Sequence, residues 1–140
     1  EGGKLVAAIL ERVDGIERIA GEVRGLVPLI REGQRAKLTA RLADLAQSAD
    51  PARVEQELVL SLQKLDVDEE LDRLSSHIDE IRRVFRQKEP VGRRLDFLLQ
   101  EFNREANTLG SKSVDARTSN AAVELKVLID QIREQVQNIE

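Results

Sequence analysis

A chain of 140 residues with a net charge of −4 is long enough to bury one core, so a single domain over residues 1–140 is expected, and its charge argues against holding nucleic acid by bulk attraction alone. With three Phe and no Trp, Tyr or Met, that core must be built from Leu, Ile, Val and Ala, the composition of helical seams and not of a β-sandwich. The absence of Cys excludes disulfides, thiolate zinc sites and a cysteine nucleophile, and no apolar run approaches the ~20 residues that span a bilayer, so a cytoplasmic location without membrane contact is expected.

In chain order, Leu5, Ile9, Val13, Ile16, Ala20, Val23 and Val27 recur in steps of three and four, which predicts a long first helix. Pro28 removes an amide donor, and Gly25 and Gly33 lower helix propensity, so a kink or break is expected there before the pattern resumes through Leu38, Leu42 and Leu45, giving one bent helix or two collinear ones. Ser48-Ala49-Asp50-Pro51 reads as a stop followed by a start, with Asp50 as cap and Pro51 at the first helical position. Val54, Leu58, Leu62 and Leu65 carry the next stripe. A break capped by an aspartate, or a coiled-coil irregularity, at Asp66-Val67-Asp68 precedes a seam of Leu71, Leu74, Ile78, Ile81 and Phe85.

Glu89-Pro90-Val91-Gly92 predicts a turn, and a helix follows with Val91, Leu95, Leu98, Phe102, Ala106 and Leu109 on its apolar face. Gly110 is the expected C-cap, and a last helix runs through Leu125, Leu128, Ile132, Val136 and Ile139. No strand pattern or repeat is present. The expected fold is all-α: an elongated helical bundle with long, antiparallel, coiled-coil-like helices.

The outer face of the helix starting at Gly92 carries Arg94, Phe97, Glu101, Arg104 and Thr108, with Glu105 at its edge and Gln100 and Asn107 beside it. Glu101 and Glu105 are one turn apart, so both carboxylates can approach one hard cation or a proton-transfer site. Upstream, Glu70, Arg73 and His77 fall at i, i+3 and i+7 along one edge of the Leu71–Ile78 seam, and His77 is the only histidine. If the two helices pack as antiparallel neighbours, Glu70 and His77 face Glu101 and Glu105. Such a group suits Mg²⁺ or Mn²⁺ better than structural zinc. The alternative is an ion-pair network of Glu70, Arg73, Glu101 and Arg104 that holds two helices in register.

Arg82, Arg83, Arg86, Lys88, Arg93 and Arg94, with Phe85 and Phe97 alongside, form a basic cluster able to track phosphates while a ring stacks on a base; the alternative is a solvated helix end with Phe85 in the core. Gln100, Asn103 and Asn107 offer hydrogen bonds to bases or 2′-hydroxyls, and Lys112 a phosphate contact or a helix-terminal cation. There is no HExxH and no Walker loop.

Gly92 to Glu101, followed by Asn103 to Lys112, closely resembles the C-terminal signature of the bacterial YicC-like proteins, and Glu69 to His77 and Ile132 to Glu140 fit the same likeness. Family members are about twice this length and begin with a mixed α/β domain, so this chain, which opens at Glu1, reads as a C-terminal portion. The resemblance implies a single-strand endoribonuclease that depends on a divalent metal and assembles as a ring-like homohexamer, acting with other RNA-decay enzymes. On that reading Glu70, Glu101 and Glu105 are candidate Mn²⁺ or Mg²⁺ ligands, His77 a proton-transfer group or ligand, and Arg73 an electrostatic partner of the scissile phosphate. Arg93, Arg94, Gln100, Arg104, Asn107 and Lys112 are then candidates for binding RNA. A helical oligomerisation and RNA-docking module without chemistry is the second reading, and a regulator of a partner nuclease the third.

Overall fold

The computed structural model describes residues 2–45, 50–87 and 92–138, apart from the side chains of Gly2 and Leu45. Five helices account for nearly all of them: α1 (Gly2–Leu45), α2 (Pro51–Gln63), α3 (Asp68–Arg86), α4 (Gly92–Lys112) and α5 (Ala116–Gln137). No strand occurs among the described residues.

The helix starts follow from local chemistry. Asp50 Oδ1 accepts the amide of Ala52 at 3.1 Å with Pro51 at the first helical position, and Asp115 Oδ1 accepts the amide of Arg117 at 2.8 Å. The six-residue slip between Leu65 and Leu71 is a true break, where Asp66 Oδ1 takes the amide of Asp68 at 2.9 Å. The turn expected at residues 89–91, the stop at Ser48-Ala49, and the positions of Lys88 and Ile139 lie outside the described residues.

Of the two outcomes expected at Pro28, one helix or two, α1 is a single helix, because the chain is held on both sides of the proline: Ile9, Val13, Ile16, Ile19, Ala20 and Val23 are buried against α3 and α5, while Arg31 reaches Asp66 and Asp68 at 3.6 and 3.7 Å and Arg35 reaches Glu55 at 3.4 Å. Interior proline costs ~3 kcal/mol, which packing on this scale outweighs. Gly110 is not a cap. It lies inside α4 without a positive φ, and a Cβ there would sit 3.5 Å from the Cβ of Ala122, an ordinary van der Waals contact.

The core lies between α1, α3, α4 and α5 and follows the expected seams, adding Ile19, Val84, Leu99 and Ile129, while Leu38, Leu42, Val54, Leu62 and Leu65 are only half-buried. α3 and α4 run in opposite directions, since Glu80 pairs with Arg94, His77 meets Glu101 and Glu105, and Glu70 pairs with Lys112. α1 also opposes α5, with Arg12 Nε donating to Gln131 Oε1 at 3.1 Å and Gly15 against Leu128. Arg82 of α3 donates to Asp14 at 2.7 Å and to Glu17 at 2.8 Å, and Arg24 of α1 reaches Asp72 at 3.0 Å.

Candidate active site

The opposed α3 and α4 bring together the residues that the sequence only placed on two separate faces. His77 Nε2 lies 3.2 Å from Glu105 Oε2 and 4.0 Å from Glu101 Oε2. One ligand atom from each of the three falls within 4.8 Å of the others. Glu105 is 1% exposed and forms the floor, whereas the side chains of His77 and Glu101 are 19% and 25% exposed and form an open rim. Phe102, fully buried, meets the His77 ring edge-on at 5.9 Å and limits its rotation.

A carboxylate as deeply buried as Glu105 must be paired or hydrogen-bonded. Arg73 does this, donating from Nε to Glu105 Oε1 at 3.1 Å and from Nη2 to Glu70 Oε2 at 3.1 Å, and these carboxylates push its guanidinium pKa up, with the Glu105 hydrogen bond the main cause. Lys112 Nζ completes the line with bonds to Glu70 Oε1 at 3.0 Å and the Asp66 carbonyl at 2.9 Å. Among the described residues no buried side-chain polar atom lacks a partner.

Two carboxylates and one imidazole are the donors that would hold a small hard cation at this place. Because Arg73 holds Oε1 of Glu105, Oε2 is left toward His77, the orientation that an outer hydrogen bond commonly imposes on a ligating carboxylate.

Other expected site residues fall elsewhere. Glu70 is buried but stands apart from the trio, neutralised by Arg73 and Lys112; Lys112 thereby serves helix packing, with its ammonium turned to Glu70 rather than outward to phosphate. Arg104 is exposed and forms no ion pair with Glu101 or any other described residue, so the Glu70–Arg73–Glu101–Arg104 network is replaced by Glu70–Arg73–Glu105. Gln100 and Asn107 are exposed on α4. The basic cluster is divided: Arg82 is taken by α1 and Phe85 packs on the core, while Arg83 and Arg94 both bind Glu80. The sequence reading missed Phe102 as the wall of His77 and Glu80 as the anchor of Arg94. Continuing the antiparallel register from His77 opposite Glu101 would have found both.

Glu80 also sets an acid response. The Arg83 and then the Arg94 guanidinium hold its carboxyl down to about 2 from an ordinary 4.5. With the folded value below the unfolded one, the unfolded chain binds the extra proton first, so this stabilisation is complete above pH 4.5 and is lost as pH falls toward about 2. Urea midpoints of the native chain should therefore drop more steeply across that window than those of Glu80→Gln. Parallel curves would remove Glu80 as the cause.

An all-helical domain with a partly open histidine–carboxylate cluster between two opposed helices is the class defined so far. Residues 23–140 match the family described as endoribonuclease YicC-like, C-terminal, and the chain belongs to that YicC-like family. It is 49% identical over its full length to the "Probable endoribonuclease YicC" of Haemophilus influenzae, and 38% identical over 143 aligned residues to the protein of that name from Clostridioides difficile. The match takes in 49% of each relative, so the chain spans about half their length. Among the described residues no helix is long and apolar enough to cross a membrane.

Proposed function

We propose that this chain is the C-terminal helical domain of a divalent-metal-dependent endoribonuclease that cleaves single-stranded RNA in the cytoplasm. The observation that carries the reading is the convergence of one ligand atom each from His77, Glu101 and Glu105 within 4.8 Å, with His77 and Glu101 partly exposed. The names of the relatives support RNA as the substrate.

Glu101 and Glu105 would hold Mn²⁺ or Mg²⁺, with His77 either a third ligand or the proton-transfer group, and the ion when bound supplies Lewis acidity and a more acidic water. Arg73 fixes the Glu105 carboxylate, and Phe102 fixes the His77 ring. His77 not engaged as a ligand takes a proton at Nε2 from the attacking water or ribose 2′-hydroxyl, while exposed Arg104, one turn from Glu101, meets the phosphate oxygens. As the new bond to phosphorus forms, the bond to the leaving oxygen breaks and that oxygen takes a proton from solvent water. The full-length protein acts as a homo-oligomer, taken here as a hexamer, alongside other RNA-decay enzymes.

The second reading, an oligomerisation and RNA-docking module, draws on the exposed apolar side chains Leu29, Val59 and Leu60 of α1 and α2. Cleavage of a labelled single-stranded RNA by the full-length protein, in Mn²⁺ or EDTA, separates the two. The expected result is metal-dependent cleavage that is lost in Glu101→Gln and His77→Ala; RNA bound equally in EDTA and left intact in every lane favours docking.

A further inference from the structure

Of the three phenylalanines, Phe102 is core and Phe85 packs on the core, but Phe97 is 60% exposed on α4. Phe97, with Arg93, Arg94, Glu80 and Leu98, lines an open depression. The surrounding surface is not an apolar patch of the kind a protein partner covers. Arg93, Arg94, Asp96 and Gln100 are all exposed around Phe97, and Leu98 is buried beneath. An exposed ring with the Arg93 guanidinium about one turn before it, while Arg94 is held by Glu80, matches a ligand that is itself a flat ring beside an anion, the chemistry of a nucleobase and its phosphate.

Position adds a second argument. Phe97 is one helical turn before Glu101, ~6 Å of axial rise, or about two stacked nucleotides at ~3.4 Å each. α4 thus presents, on one exposed face, a ring and then the rim of the His77–Glu101–Glu105 cluster.

We propose that Phe97 is a base-stacking residue: a nucleobase of the single strand lies on its ring, Arg93 takes the adjoining phosphate, and the next nucleotides are directed to the cluster. The proposal rests on reading the chain as an RNA-cleaving domain. Stacking is indifferent to base identity, so Phe97 sets grip and position rather than sequence preference.

The test is anisotropy titration of a fluorescein-labelled single-stranded RNA with full-length protein in EDTA, together with a strand containing 2-aminopurine to report stacking. Phe97→Ala should weaken binding about 5- to 100-fold and remove the stacking signal, with Phe97→Trp restoring both and Phe97→Leu restoring neither. Arg93→Ala should reduce the salt slope of the native protein by about 0.7. If native protein binds and cleaves RNA while Phe97→Ala binds as tightly, the stacking proposal falls and the nuclease reading stands. If Phe97→Leu restores what Trp restores, or Phe97→Ala changes the oligomeric mass, Phe97 is a packing surface and the proposal is overturned. Native protein that binds no RNA removes both readings.

Discussion

Glu105→Gln in the full-length protein should reduce divalent-dependent RNA cleavage by about 10²-fold or more while leaving the fold in place. The amide has the same shape and its oxygen can still accept from Arg73, but it removes the one full charge at the floor of the cluster, 1% exposed and 3.2 Å from His77. An amide is also a poor ligand for a hard cation, so the concentration of Mn²⁺ needed for half-maximal rate should rise. The stability cost should be modest, about 1–2 kcal/mol. Loss of a charged hydrogen-bond partner ordinarily costs ~1.5–3 kcal/mol, and here Arg73 is 48% exposed and can turn to water. Paired measurements of rate against Mn²⁺ and of urea midpoint give both numbers. Native cleavage rates and native metal dependence in Glu105→Gln would remove the cluster from the chemistry.

Phe102→Ala should be the most destabilising single change at the site, costing about 3–5 kcal/mol. The ring is wholly buried at the centre of α4, and its removal leaves a cavity bounded by seams that cannot all close at once. Thermal unfolding should show a melting temperature lower by roughly 10 °C, given ~2–4 °C per kcal/mol for somewhat larger domains and more for smaller ones. His77 loses its edge-on neighbour at the same time, so activity should fall even well below the new melting temperature. Phe97→Ala provides the internal contrast. The same substitution five residues earlier in α4, at a side chain 60% exposed, should change stability by less than about 0.5 kcal/mol. Equal losses at the two positions would mean that Phe97 is covered in the protein as it exists in solution.

Most of the fold is legible before any coordinates are consulted, for a reason visible in α3 and α5. Leu71, Leu74, Ile78 and Ile81, and Leu125, Ile132 and Val136, are buried at the spacing that marks them in the sequence, because a helix must repeat its apolar residues with its own period to keep one face in the core. Asp50, Pro51 and Asp66 are equally readable, since capping involves only neighbouring residues. Local propensity left one helix or two open at Pro28 and misplaced the end of α4 at Gly110. α1 continues because α3, α5 and a set of ion pairs hold both of its halves, and α4 runs past Gly110 to Lys112.

The candidate site divides along the same line. Sequence alone determined that this chain is helical, that α4 carries an unusually polar outer face, and that His77, Glu101 and Glu105 stand among its candidate site groups, because these follow from composition and from the turn of a single helix. Only the tertiary structure decided which of them meet. The opposed register of α3 and α4 puts His77 against Glu101 and Glu105, diverts Glu70 to Arg73 and Lys112, leaves Arg104 outside, and divides a continuous basic run among separate carboxylates. Those pairings depend on how far one helix slides along another, and a slide of one turn leaves each helix's own periodicity unchanged.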